Sequence, residues 1–265
     1  MLFTLLATLA VSAPLPAPTR TLSCAALARG TSFSAAPGVT VSLRRVGRAQ
    51  LRLSTGRQSR TVPVDCFNER IQAVVGDFNF DSVPDVAVPT GVGYMGVNVF
   101  ARPYFVGRDG TLRASRTEVE VANAALDPLT RTLSGGVKNG PAYNLDTHCL
   151  TPDGRDLYLC REASLSSRGE AADDYDVRWL DPSGRVLLER RFDPAGPGQR
   201  LELWQVAAQR TLFHAQPSVA ARGRAYVVAG DRVEVLELRG DWVWAVYTSG
   251  TGRRTVGWLR RSDLR

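Results

Sequence analysis

Lysine is almost missing from this chain: Lys138 is the only one among 33 basic residues, and the others are arginine. The formal net charge of +7 therefore rests on arginine. Such an excess suits an anionic partner such as a wall polymer or a lipid headgroup. The arginines are nevertheless scattered, with doublets only at Arg44-Arg45, Arg190-Arg191, Arg253-Arg254 and Arg260-Arg261. No basic run is interleaved with aromatics, which argues against nucleic acid, and the arginine bias reads as genome composition. Histidine is nearly as scarce, with His148 and His214 alone. Nucleophilic catalysis by serine or cysteine generally wants a histidine base. Neither a Gly-x-Ser-x-Gly elbow nor a His-Glu-x-x-His zinc motif occurs. Glu162, Glu170 and the acids from Asp173 to Asp176 could supply paired carboxylates for glycoside hydrolysis, but no spacing singles them out. His148 adjoins Cys149, and His214 lies in the tail, where packing or surface is its expected role. The residues point away from an enzyme.

A Cys-x-x-Cys pair is also absent, so the four cysteines are not read as a metal or redox site. An even count in an exported chain points to two disulfides. Cys149 and Cys160 bracket LTPDGRDLYL, a hairpin pattern with a Pro-Asp-Gly turn, and are expected to pair locally. Cys24 and Cys66 are then left to pair with each other. Export is read from the N-terminus, where MLFTLLATLAVSAPLPAP has an apolar stretch followed by small residues and proline. The expected signal peptide covers residues 1–20, with cleavage positions after Ala13 and Ala17. Its apolar run is too short for a comfortable membrane span, and no other segment approaches one. The mature protein is expected to be periplasmic or secreted, without membrane insertion.

Sustained helical periodicity is missing as well. VTVSLRRV, AQLRLST, IQAVVGDF, DVAVPT, GVNVFAR, TEVEVAN, DLYLCREAS, DVRWLD and VLLERRF are short alternating or β-branched runs between Gly, Pro, Asp and Asn. LDPLTRT, from Leu126 to Thr132, is expected to form one helical turn. The rest predicts an all-β protein: an antiparallel sandwich or barrel over residues 21–200, a linker within 193–200, and a small second barrel over 208–265.

The most informative stretch is Val74 to Val88, which reads as strand, oxygen-rich loop, strand. Asp77, Asn79, Asp81 and Asp85 occupy positions 1, 3, 5 and 9 of a D-x-N-x-D-x-x-x-D loop. Alternate side chains of a tightly curled loop turn inward, so three carboxylates and an amide oxygen converge, and the Val83 carbonyl adds another oxygen. That set fits a hard divalent cation, above all calcium. Carboxylates packed this closely without a cation repel one another. Position 6, where a left-handed backbone favours glycine, is Ser82. Position 12 is Val88 rather than glutamate, and both flanks are strand-like, which argues against an EF-hand. The loop resembles the strand-loop-strand calcium loops of integrin-type propeller repeats and of several secreted bacterial proteins. A propeller would need several copies at a regular period. None recurs, and AADDYDVRW around Asp173, Asp174 and Asp176 lacks the alternation.

Over residues 65–190 the order of calcium loop, Asn98-Val99-Phe100, Leu126-Asp127-Pro128-Leu129, Arg131-Thr132-Leu133-Ser134 and a cysteine-bearing hairpin resembles periplasmic calcium-binding proteins related to lysozyme inhibitors. The resemblance implies a structural calcium ion and a non-enzymatic role, with lysozyme inhibition in some members. No stretch matches an inhibitory loop; Ser134-Gly135-Gly136 is the nearest small-residue loop and is read as an ordinary turn. Over residues 208–265, AYVVAGDRVEVLE, GDWVWAVY and GWLRRSDL together resemble a bacterial SH3-like barrel. Gly230-Asp231 and Gly240-Asp241 supply turns. Val243, Ala245 and Tyr247 alternate with Trp242, Trp244 and Val246. The resemblance implies binding of a protein or a peptidoglycan peptide through exposed aromatics, with Tyr226, Trp242, Tyr247 and Trp258 as candidates. The same rings could equally form the barrel's own core. The second function class is a calcium-dependent hydrolase of cell wall or polysaccharide, targeted by the tail.

Overall fold

A computed structural model describes residues 20–66, 71–115, 119–140, 142–165, 175–192 and 203–265. The expected signal peptide up to residue 19, the expected linker at 193–200, and Glu170, Asp173 and Asp174 lie outside these residues. The described chain is nearly all β and is built of antiparallel sheets, as its alternation predicts.

Strand β1 (Arg20–Ser23) leads into a short helix, α1 (Cys24–Arg29), and then into sheet B, a four-stranded meander of β2 (Thr31–Ala36), β3 (Val39–Gly47), β4 (Gln50–Ser54) and β5 (Ser59–Pro63). Strands β6 (Gln72–Gly76), β7 (Asp85–Gly93), β8 (Asn98–Val106), β9 (Leu112–Ala114) and β10 (Val121–Ala122) follow, and with β1 they form sheet A. Sheet C is a six-stranded meander of β11 (Ala125–Asp127), β12 (Thr132–Asn139), β13 (Ala142–Leu150), β14 (Leu157–Leu165), β15 (Tyr175–Leu180) and β16 (Val186–Phe192). The tail forms sheet D from β17 (Leu203–Gln205), β18 (Arg210–His214), β19 (Arg222–Val228), β20 (Arg232–Arg239), β21 (Trp242–Thr248) and β22 (Arg254–Arg260). Its spatial order is β17-β20-β21-β22-β18-β19.

Alternation places the core. In β3, Val41 and Leu43 are buried while Thr40, Ser42 and Arg44 are exposed. These residues meet Leu51 and Leu53 of β4, Val75, Val86 and Val88 of sheet A, and Leu27 of α1, so sheets A and B share one core. Each such side chain stabilises the fold by about 1.5–3 kcal/mol through burial. Helix α1 is too short for periodicity to reveal it. It is set by local chemistry: the Ser23 hydroxyl accepts from the Ala26 N–H at 3.2 Å, and Gly30 ends it with φ 86°.

Sheet C covers the other side of sheet A, with Phe78, Ala87, Ala101, Phe105 and Val121 packing against Leu133 and Leu157. Two expectations are corrected here. Ser134-Gly135-Gly136 is not a turn but part of β12. A Cβ on Gly135 would lie 2.7 Å from Val121 Cγ1 and 2.9 Å from the Ala122 carbonyl, so glycine is what lets β10 lie against β12. LDPLTRT is not a helical turn but the bend of the β11–β12 hairpin. There the Asp127 carboxylate accepts from the Leu129 N–H at 3.0 Å and the Thr130 N–H at 3.3 Å, offering the backbone a turn in place of a helix.

Both disulfides join the expected pairs, Cys24–Cys66 and Cys149–Cys160. Chain-entropy reasoning assigns about 4 kcal/mol to the longer loop and about 3 kcal/mol to the shorter. They suit an oxidising compartment outside the cytoplasm. Among the described residues no helix is long and apolar enough to cross a membrane.

Sheet D also makes its turns at Gly230 (φ 93°) and Gly240 (φ 58°). Its core, however, is shared rather than private: Val233, Val235, Val243, Ala245 and Leu259 pack with Ala163, Val177 and Trp179 of sheet C. Trp179 and Trp204 meet edge to face, with ring centroids 5.8 Å apart. Strand β20 bulges between Val235 and Glu237, and there the Val235 carbonyl accepts from Trp179 Nε1 at 3.2 Å and Arg161 Nη1 at 3.1 Å. The tail is thus fastened to sheet C by hydrogen bonds as well as by apolar packing.

His148, beside the short-loop disulfide, is buried, with Nδ1 3.3 Å from the Leu133 carbonyl. Burial pushes its pKa down to about 4. The unfolded chain takes up this proton as pH falls below about 6.5, while the folded chain resists until much lower pH. Acidification across that window should therefore remove stability, on the order of 3 kcal/mol. Urea unfolding at about pH 7.5 and about pH 4.5 should show a smaller acid loss in His148→Gln than in the unmodified chain; equal losses would refute this assignment.

Candidate functional site

The acidic stretch is a hairpin connection. Strands β6 and β7 pair through Gly76↔Asp85, and the loop between them is pinned on both sides by buried apolar residues. Phe78 lies between sheets A and C, and Val83 in the core shared by A and B. Phe80 and Ser82 have φ of 57° and 68°, so the left-handed backbone expected at Ser82 is present without glycine.

Inside this curl the predicted side chains gather around main-chain N–H groups. Asp77 Oδ1 and Asn79 Oδ1 accept from the same Asp81 N–H, at 3.0 and 3.2 Å. Asp77 Oδ2 accepts from the Ser82 N–H at 2.8 Å, and Asp81 Oδ1 from the Val83 N–H at 2.8 Å. Asn79 Nδ2 donates to Asp81 Oδ2 at 3.0 Å. Asp85, fully buried, accepts from Phe78 N–H at 3.0 Å, Asn79 N–H at 3.4 Å and Val106 N–H at 2.8 Å. Burial, with the neighbouring carboxylates adding to it, pushes the Asp85 carboxyl well up, and burial also raises Asp77. Two arginines lean on the rim: Arg108 Nη2 donates to the Asp81 carbonyl at 2.9 Å and Arg131 Nη2 to the Phe80 carbonyl at 3.3 Å.

The donor set is chemically right for a hard divalent ion: carboxylate and amide oxygens on one short loop. Among the described residues no three His, Cys, Asp or Glu side chains already surround one point. Backbone N–H groups hold the oxygens, so an ion would enter by replacing hydrogen bonds.

The four aromatic candidates of the tail do not gather. Tyr226 is exposed on β19 with the Arg210 guanidinium 4.0 Å from its ring centre. Tyr247 is half-buried against the core, its hydroxyl 3.4 Å from Asp231 Oδ1. Trp242 meets His214 edge to face at 4.8 Å and lines a hollow with Pro217 and Arg260. Trp258 is only 7% exposed and lies against Trp244, with centroids 5.3 Å apart.

Trp258 and Trp244 instead form one wall of a cleft of about 490 Å³ between sheets C and D. Trp244 Nε1 donates to the Thr130 carbonyl at 2.9 Å, and Arg254 Nη2 meets Asp127 Oδ2 at 2.7 Å, tying sheet D to the β11–β12 bend. Cys149, Leu150 and Pro152 of the disulfide hairpin line the opposite side. At its base is Glu237, 4% exposed. Its Oε1 accepts from the Tyr158 hydroxyl at 2.9 Å, Arg239 Nε at 2.9 Å and Arg239 Nη2. Burial pushes the Glu237 carboxyl up against the pull of Arg239. Sequence reasoning named Arg131 and Trp244 only within larger patterns and passed over Glu237 and Arg239, because a Glu-x-Arg pair on a strand looks like a solvated face. The one available signal was its place between Leu236 and Leu238.

Neither histidine bonds to a described nucleophile: His148 faces the Leu133 carbonyl and His214 Nδ1 the Ser218 carbonyl at 2.9 Å. Glu162 pairs with Arg178 at 3.2 Å. Comparison of the chain with family models, curated proteins and solved structures finds no match.

Removing Asp85 should unpair three buried N–H groups. Asp85→Ala is expected to cost about 3–5 kcal/mol even in excess chelator, whereas exposed Asp81→Ala should cost about 1 kcal/mol. Chemical denaturation of both variants in chelator checks this, and similar losses for the two would mean that Asp85 does not anchor the loop.

Proposed function

We propose that this chain is an exported, non-enzymatic calcium-binding protein that binds a protein or cell-wall peptide, with lysozyme inhibition as one form of that role. The observation that carries the calcium half is the hairpin loop itself. Asp77 and Asn79 bring oxygens to one nitrogen, Asp81 joins them through Asn79, and buried Asp85 closes the curl from β7. Asp77, Asn79, Asp81, the Val83 carbonyl and Asp85 are the residues that would hold the ion. When bound, calcium supplies positive charge that offsets the mutual repulsion of the carboxylates and cross-links the loop. Asp85 positions the loop against β8 through the Val106 N–H, and Phe78 and Val83 keep it anchored whether or not the ion is present.

The export half is supported by the paired disulfides and by the signal-like N-terminal sequence. The binding half is supported by the SH3-like sequence pattern of the tail and by the solvent-open hollows along sheet D.

Calorimetric titration of the chelator-treated mature protein with calcium is the test. One site with a dissociation constant of about 10⁻⁴–10⁻³ M or tighter is expected, as suits an extracellular module. Asp81→Ala should abolish it, and calcium should raise the melting temperature of the unmodified chain only. No heat and no thermal shift at millimolar calcium would defeat the calcium reading. Retention on insoluble peptidoglycan and inhibition of added lysozyme test the binding half separately.

A further inference from the structure

The cleft between sheets C and D has the makings of a ligand site that the aromatic pattern of the tail did not reveal. Its volume, about 490 Å³, falls in the range of small-ligand pockets. Its base is a carboxylate whose partners are lopsided. Among the described residues three donors converge on Glu237 Oε1 and none reaches Oε2, although the side chain is only 6% exposed and lines the cleft. The buried side-chain atoms left without a partner among the described residues are Arg102 Nε and Trp204 Nε1, so Oε2 is open to the cleft, where an entering N–H can reach it.

The surrounding charge has the opposite sign. Arg239, beside Glu237, uses Nε and Nη2 on that carboxylate and packs its guanidinium carbon 5.0 Å from the centre of the Trp258 ring. Arg131, at the mouth, spends Nη2 on the Phe80 carbonyl. Its backbone is held at φ 55°, a conformation that non-glycine residues keep only where the surroundings impose it. Two guanidinium groups against one carboxylate favour an anionic group in the mouth. Half-buried Trp244 supplies an apolar wall.

We propose that this cleft captures the C-terminal end of a peptide: the terminal carboxylate against Arg131 and Arg239, the last peptide N–H on Glu237 Oε2, and the last side chain on Trp244. A chain terminus is the common ligand that presents a carboxylate and an N–H donor a few bonds apart, matching guanidinium donors and a carboxylate acceptor side by side. The assignment rests on the binding-protein reading above and gives it a place and a ligand chemistry. Of the four candidate rings of the tail it keeps Trp258 alone, and it places the site at the seam between two sheets.

The test uses the full mature protein and N-acetyl tripeptides ending in Ala, Leu or Phe, each prepared as free acid and as C-terminal amide, followed by calorimetry. At least one free acid should bind below about 5 mM, and its amide should bind at least about tenfold more weakly. Arg131→Gln, at an exposed position, and Glu237→Gln should each weaken the acid about tenfold. The melting temperature of Arg131→Gln should stay unchanged, which separates lost recognition from lost folding. Equal binding of acid and amide, or acid binding unaffected by both substitutions, would overturn the cleft site while leaving a peptide-binding protein in place. No binding by any acid would also overturn it. Retention on peptidoglycan by the unmodified chain then decides whether the wider reading falls with it. Competition by a sugar acid in place of every peptide would reassign the cleft to glycans.

Discussion

The Val235 carbonyl, at the bulge of β20, is the point on which the two halves of the molecule turn. Arg161 and Trp179 of sheet C both donate to it, and Arg161 also reaches Glu234 at 3.3 Å and Thr147 at 3.1 Å. Burying Trp179 costs less when its N–H finds an acceptor, and burying an arginine costs less when its charge is matched. The bulge meets the first need and Glu234 the second. With those satisfied, Trp204 packs edge to face on Trp179 and the sheet D core continues into sheet C. The cleft follows from the same docking, because its walls come from opposite sides of the joint.

Asp85 has a similar part in the acidic loop. Its buried carboxyl ties the loop start at Phe78 and Asn79 to the end of β8 at Val106, so the loop is shaped by main-chain N–H groups as much as by its own carboxylates. Arg131 stands between the two regions: its side chain rests on the Phe80 carbonyl while the residue borders the cleft. The acidic loop and the cleft are thus neighbours through one residue of the β11–β12 bend. Sheet D is held to the same bend by Trp244 and Arg254.

Much of this was legible in the residues. Alternation in Val41, Leu43, Leu51 and Leu53 placed buried strand faces, and the Pro-Asp-Gly turn placed the Cys149–Cys160 hairpin. The D-x-N-x-D spacing marked a curled loop, down to the left-handed Ser82. What misled was local chemistry with two uses. Leu126 to Thr132 has helix-forming residues, yet Asp127 spends its carboxylate on the Leu129 and Thr130 N–H groups and makes a bend. Ser134-Gly135-Gly136 has turn composition, but the glycine is there for the approach of β10.

The sequence by itself determined the all-β class, the hairpins, the disulfide pairs and the acidic loop. Each depends on residues close in the chain, or on a count small enough to leave one pairing. Only the tertiary structure decided that the tail shares a core with sheet C, that Trp258 turns away from solvent, and that Glu237, Arg239 and Arg131 meet at one cleft. Those outcomes depend on which sheet faces meet across more than a hundred residues of chain. A period-two pattern says that a face is buried, but not what it is buried against.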